Sequence, residues 1–167
     1  MIPKLNSCLL CLCVLISNHS WGLPDDSEQE IHIASDSASL DKLKGEIIYT
    51  GNVSMQQGSL NIHAQKVTII RSNEGLERII AEGNPARYEQ TLSEKDGKTL
   101  AYGETIIYNT QIKQLTLLNN AGLEKQGNLF SGDKIVYLIN EQKVKAESPE
   151  QQNRIRMVIQ PQKDKES

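Results

Sequence analysis

The sequence predicts an all-β protein, and three observations lead there. From Glu30 onward apolar and polar residues alternate with the period of a half-buried strand, while helical periodicity is hard to find. A short phrase keeps returning: a small residue, two polar residues, then an alternating apolar run. It reads Ala64-Gln65-Lys66-Val67-Thr68-Ile69, then Gly103-Glu104-Thr105-Ile106-Ile107-Tyr108, then Gly132-Asp133-Lys134-Ile135-Val136-Tyr137, with a weaker copy at Ala34-Ser35-Asp36-Ser37. A return at about 30–40 residues marks stacked units, each too small to bury its own apolar face. Finally, the segments between the runs are short and polar. The residues alone leave sandwich, jelly roll and solenoid open.

The chain has 167 residues and begins with what reads as an export signal. Lys4 supplies the positive charge, Leu9 to Ile16 is an apolar run, and Ser20-Trp21-Gly22 offers small residues at the cleavage positions. That run is far shorter than the roughly 20 residues that span a bilayer. A lipoprotein signal is not supported, because Cys11 and Cys13 follow leucines and Cys8 comes too early. The expected division is a cleaved signal peptide over 1–22, a disordered start over 23–29, one β domain over 30–160 and a disordered tail over 161–167.

Cleavage after Gly22 removes all 3 cysteines and the single tryptophan. A chain without thiols has no disulfide framework and no thiol chemistry, and it suits an oxidising compartment. The formal charge of −3 offers no basic patch, so no nucleic-acid partner is expected. Aromatics make up 4% of the residues, which suits a thin, extended sheet better than a ball.

Along the chain, Ile31 and Ile33 alternate with His32 and open the first strand. Ile47, Tyr49, Val53 and Met55 share one parity, interrupted at Gly51-Asn52. Gln56-Gln57-Gly58-Ser59 reads as a hairpin loop. Leu60, Ile62 and Ala64 share a parity, and the Ala-Gln-Lys step then shifts the phase to Val67 and Ile69. A one-residue slip turns every side chain over, so the recurring small residue marks a bulge or bend. Gly103 and Gly132 suit a strained backbone there. Arg71 to Gly75 is a second loop. Ala81-Glu82-Gly83-Asn84-Pro85-Ala86 and Leu118-Asn119-Asn120-Ala121 echo the Gly51-Asn52 bend. Thr91 to Lys98 reads as the longest connection, while Asn109-Thr110-Gln111, Glu124 to Asn128 and Asn140-Glu141-Gln142 are tight. Ile155, Met157 and Ile159 form a last strand, stopped by Pro161.

Chemistry-bearing residues do not converge. His32 and His63 lie opposite the apolar parity and lack metalloprotease spacing, so no metal site is expected. Asp96 sits beside Gly97 in a turn. The position held by Gln65, Glu104 and Asp133 varies too freely for a catalytic acid. No nucleophile elbow or phosphate loop occurs. Asn52-Val53-Ser54 matches a glycosylation sequon, but it lies inside an expected strand. No catalytic residue, enzymatic activity or cofactor is expected. The apolar parity, with tyrosines recurring at comparable strand positions, is either a packed core or the lining of a trough between faces that do not close.

The phrases Ile31-His32-Ile33-Ala34-Ser35-Asp36, Tyr49-Thr50-Gly51-Asn52-Val53, Ala64-Gln65-Lys66-Val67, Gly83-Asn84-Pro85-Ala86 and Gly132-Asp133-Lys134-Ile135-Val136-Tyr137 occur in this order. Together they resemble the organic-solvent-tolerance (OstA-like) domain family of periplasmic lipopolysaccharide-transport proteins, from about Glu30 to Gln160. The resemblance implies a slightly open, twisted β-jellyroll of antiparallel strands. It implies a non-enzymatic carrier in the Gram-negative periplasm, with lipopolysaccharide acyl chains in the apolar interior. It also implies head-to-tail copies that meet an inner-membrane LptC-like component and an outer-membrane LptD-like translocon.

The expected groove is then the inward parity. Its first half comprises Ile31, Ile33, Tyr49, Val53, Met55, Ile62, Val67 and Ile69. Its second comprises Tyr88, Ile106, Tyr108, Leu115, Leu117, Leu123, Ile135 and Tyr137. The expected oligomer edges are Ile31, His32 and Ile33 at one end and Ile155, Met157 and Ile159 at the other, since unpaired edge strands can accept a neighbour's strand. The alternative is a structural or adhesive β-solenoid with a dry core and protein partners only. A glycan-processing solenoid requires an aromatic platform and clustered acids, and the sequence shows neither.

Overall fold

A computed structural model describes residues 26–73, 75–93, 97–148 and 154–161. The expected signal peptide, residues 23–25 and residues 162–167 of the expected tail lie outside the described residues. The strands are β1 (Ile31–Ala34), β2 (Ser37–Asp41), β3 (Glu46–Gln57), β4 (Leu60–Ser72), β5 (Gly75–Ser93), β6 (Gly97–Asn109), β7 (Gln114–Lys125), β8 (Asn128–Leu138), β9 (Lys143–Glu147) and β10 (Arg156–Val158). They form one antiparallel sheet in the order β1-β3-β4-β5-β6-β7-β8-β10, with β2 also on β3 and β9 also on β8. Among the described residues the one helical element is a 3-10 turn at Asp26–Glu28, within the stretch expected to lie outside the fold.

The long strands all break register near their middles, and the breaks line up. They fall between Thr50 and Val53, His63 and Lys66, Glu82 and Ala86, Tyr102 and Thr105, and Leu118 and Ala121. Both recurring phrases of the sequence lie on this line. The Gly-Asn type occupies β3, β5 and β7, and the small-polar-polar type occupies β4, β6 and β8. The sheet therefore bends along one line, and each strand contributes half its length to each side. The outer rows obey the same rule: β1 and β2 pair with β3 on either side of its break, and β10 and β9 divide β8 likewise.

The bend has a local chemical cause. Gly51 (φ +83°), Asn52 (φ +45°), Asn119 (φ +59°) and Asn120 (φ +50°) are left-handed, a region open mainly to glycine and, at lower cost than for other residues, asparagine. Asn52 Nδ2 donates to Asp36 Oδ2 at 2.9 Å, and Asn120 Nδ2 donates to Glu104 Oε1 at 2.8 Å. Glu104, at the variable position of its repeat, thus accepts a hydrogen bond from the asparagine of the neighbouring bend, and in the weaker copy the next residue, Asp36, does the same. A Cβ on Gly51 would lie 2.2 Å from Asp36 Oδ2, so only glycine admits that carboxylate. The sequence reading assigned strain to Gly103 and Gly132, but neither has a positive φ. Their strands change phase through the bulge alone. The Thr91 to Lys98 loop is also shorter than expected, because Thr91 pairs with Lys98 and Ser93 with Gly97. Polar composition suggested a loop there, yet polar residues also suit the solvent end of a long hairpin.

Folding along the bend line brings the inward faces of the two halves together. Tyr88 of one half meets Tyr108 of the other, and Lys125 Nζ donates to Tyr137 OH at 2.7 Å between halves. Between them lies the core, in which Val53, Met55, Ile62, Val67, Leu115, Leu117, Leu123 and Ile135 are at most 1% exposed. Burying each such side chain contributes about 1.5–3 kcal/mol, so the alternation is the main determinant of the shape. The result is the expected open jellyroll of antiparallel strands.

Candidate functional site

The apolar parity separates into a sealed centre and an open end. Tyr88, Ile106 and Tyr137 join the residues just named in the sealed centre, while Ile69 and Tyr108 are buried at its margins. Ile31, Ile33 and Tyr49 do not close over. They line a cleft of about 450 Å³ with Ile47, Ile69, Arg71 and Leu76. β1 supplies Ile31 and Ile33 from one half of the sheet, and β3, β4 and β5 supply the opposing wall from the other. The wall is apolar because alternation sends Ile47, Tyr49 and Ile69 inward, and Arg71 adds a charge where β4 reaches the rim. Such a concave apolar site with one charged residue suits an amphiphile. Ile47 shares the parity of Tyr49, and Arg71 that of Ile69, so both could have been chosen from the sequence, whereas Leu76 is turned inward by an extra residue in β5 opposite Ile70 and Arg71 that periodicity does not reveal.

At the other end of the sheet, β8 and β9 leave Phe130, Val144 and Ala146 partly buried against the core. The strand edges are apolar and solvent-facing. β1 ends the sheet on one side, with His32 exposed beside Glu30 at 3.8 Å. β10 ends it on the other, with Ile155, Met157, Val158 and Ile159 all exposed.

Opposite the bend line, the two halves part to form a mouth. A cavity of about 600 Å³ opens there, walled by Ser59, Gln90 and Leu92 on one half and by Tyr108, Lys113 and Ile139 on the other. The 3-10 turn sits in this mouth. Asp26 Oδ1 accepts from Ser59 N at 2.7 Å, and Asp26 Oδ2 accepts from Ser59 Oγ at 2.7 Å and from Gln90 Nε2 at 2.7 Å. Gln57 Nε2 donates to Gln29 O at 3.1 Å. Gln90 in turn accepts a hydrogen bond from the Tyr88 hydroxyl. Burial pushes the Tyr88 hydroxyl well above the ordinary tyrosine range, with Tyr108, Asp26 and Tyr137 adding to the effect, so it stays a donor. By sequence Asp26 falls in the expected disordered start over 23–29 and Gln57 in an expected hairpin loop. No local pattern marks either, because Asp26 and Gln90 are 64 residues apart. Among the described residues no group of three His, Cys, Asp or Glu could hold a metal, and no helix is long and apolar enough to cross a membrane.

Residues 32–143 match the family model described as LptA/(LptD N-terminal domain) LPS transport protein. The lipopolysaccharide export system protein LptH of Pseudomonas aeruginosa is 37% identical over 154 residues, 88% of each chain. The lipopolysaccharide export system protein LptA of Escherichia coli K12 is 34% identical over 146 residues, 86% of this chain and 78% of that one. The crystal structure of LptH, the LptA-homologous periplasmic component of the conserved lipopolysaccharide transport device of Pseudomonas aeruginosa, superposes with a TM-score of 0.74 at 39% identity. It covers 83% of this chain and 100% of the other.

Proposed function

Since the chain belongs to the LptA/LptD N-terminal-domain family of lipopolysaccharide transport proteins, we propose that it carries lipopolysaccharide across the periplasm between the inner and outer membranes. The observation that carries this reading is the open apolar cleft at Ile31, Ile33 and Tyr49, continuous with an apolar interior. Acyl chains lie in that cleft while the sugars stay in water. One buried CH₂ contributes about 0.8 kcal/mol, so a chain of about a dozen carbons gains on the order of 10 kcal/mol. A fully enclosing site would hold several such chains too tightly to release them. An open site that is alike in every copy makes each transfer nearly isoenergetic, and a partner supplies the direction.

The exposed edges support head-to-tail assembly. β1 of one copy pairs with the β9–β10 end of the next by strand addition, which joins the open cleft to the neighbour's Phe130 end. A head-to-tail contact does not close on itself, so it builds a filament. In this reading the terminal copies meet an LptC-like inner-membrane component and an LptD-like outer-membrane translocon through the same edges. The chain performs no catalysis and reaches the periplasm by the cleaved signal peptide.

Photocrosslinking in living cells tests the carrier. A photoreactive side chain at Ile33 is expected to capture lipopolysaccharide, and one at the outward-facing His32 is not. An exported, folded protein that captures no lipid from Ile33 would favour the dry structural solenoid.

A further inference from the structure

We propose that the Asp26–Glu28 turn is a latch on the mouth between the two half-sheets, and that acyl chains pass beyond the open cleft into the sealed centre only when it lets go. The inference rests on the carrier reading and extends it to the route of loading.

The turn buries no residue of its own, so packing does not hold it in place. Hydrogen bonds do: Gln57 Nε2 reaches the backbone at Ser27 and Gln29 at 3.4 and 3.1 Å, and the three shortest bonds converge on one carboxylate. Ser59 N, Ser59 Oγ and Gln90 Nε2 all reach Asp26 at 2.7 Å. Charge-assisted bonds of this length are the strong kind, yet Asp26 is only partly buried, so water can replace each donor when the turn swings out. Gly58 makes the approach possible. Its φ is +57°, and a Cβ there would lie 2.2 Å from Asp26 Oδ1.

Position gives the turn its effect. Two cavities of about 600 and 470 Å³ flank it, and both have Asp26 on one wall and Tyr108 and Lys113 on the other. With the turn seated, the mouth is divided; with the turn released, the two spaces become one opening between the halves. The contact also reaches inward. Gln90 is 6% exposed, binds Asp26 on its outer side and takes the Tyr88 hydroxyl on its inner side. Tyr88 touches Tyr108, the ring that spans the two halves. Release of Asp26 thus frees the amide that orients Tyr88, and the sealed centre loosens where a chain has to enter.

Two variants of the exported protein test the latch, with the association rate of fluorescently labelled lipopolysaccharide measured by stopped flow. Asp26→Ala removes the acceptor and is expected to load at least fivefold faster than the parent. The Asp26→Cys/Ser59→Cys pair replaces the latch with a disulfide. Oxidised, it is expected to load at least tenfold more slowly, and reduction should restore the rate. An Asp26→Ala rate within twofold of the parent overturns the latch, as does an oxidised pair that loads as fast as the reduced one. In either case binding by the parent leaves the carrier reading standing. Failure of the folded parent to bind lipopolysaccharide overturns the carrier reading and the latch with it.

Discussion

Tyr88 and Tyr108 meet edge to face across the interior, with ring centres 6.0 Å apart and planes at 66°. They lie on adjacent strands but on opposite sides of the bend line, so their contact exists only when the sheet is folded. Edge-to-face pairs contribute about 0.5–1.5 kcal/mol beyond the area they bury. Tyr108→Ala removes this contact and leaves a hole between the halves. The expected cost is about 3–5 kcal/mol, as for other buried aromatics, read as a lower urea midpoint. A loss under about 1 kcal/mol would mean that the halves do not rest on this ring.

Tyr88 also makes stability depend on alkaline pH. Burial, aided by Tyr108, Asp26 and Tyr137, raises its pKa in the folded state, while the unfolded side chain titrates near about 10. Below that value both states hold the proton and this residue adds no slope. Above it the unfolded chain releases the proton and the folded one retains it, so stability falls as pH rises. Urea midpoints compared at about pH 9 and 11 are expected to drop less for Tyr88→Phe than for the parent. Equal drops would remove Tyr88 from the account.

Asn120 tests the bend. Its φ of +50° is costly for a β-branched residue, and its amide donates to Glu104 at 2.8 Å. Asn120→Val is expected to lose about 1–2 kcal/mol from the backbone alone, and the hydrogen bond in addition. Asn120→Gly keeps the conformation and loses only the bond. Thermal melts should therefore rank the parent first, the glycine variant second and the valine variant last; a valine variant as stable as the glycine one would contradict the conformational cause.

Met157 tests the edge. It is 53% exposed on β10, the last strand of the sheet. A lysine on an edge strand opposes further pairing. Met157→Lys is expected to leave the melting temperature nearly unchanged while weakening self-association in sedimentation. Undiminished assembly would move the junction away from β10.

The inward residues were legible because alternation is local. Val53, Met55, Leu115, Leu117 and Ile135 announce their face through their neighbours, and the bend sites announce themselves by recurring. The phase change was legible too, but not its mechanism. Left-handed backbone belongs to Gly51, Asn52, Asn119 and Asn120 rather than to Gly103 and Gly132, because bulge geometry depends on the partner strand. The Asp26, Gln57 and Gln90 contacts left no trace, since a polar side chain in a polar stretch does not name a partner 64 residues away.

The amino-acid order by itself determined the parity of each strand and the line along which the sheet bends, for both follow from short-range periodicity and turn chemistry. Only the tertiary structure decided which inward residues are sealed and which stay open. Ile62 and Leu117 carry the same inward pattern as Ile33 and Tyr49, yet the first pair is buried and the second lines a cleft. The difference lies in how far the two halves close at each point along the stack. Contacts such as Lys125 on Tyr137 set that closure, and they form between residues whose local sequence does not record the meeting.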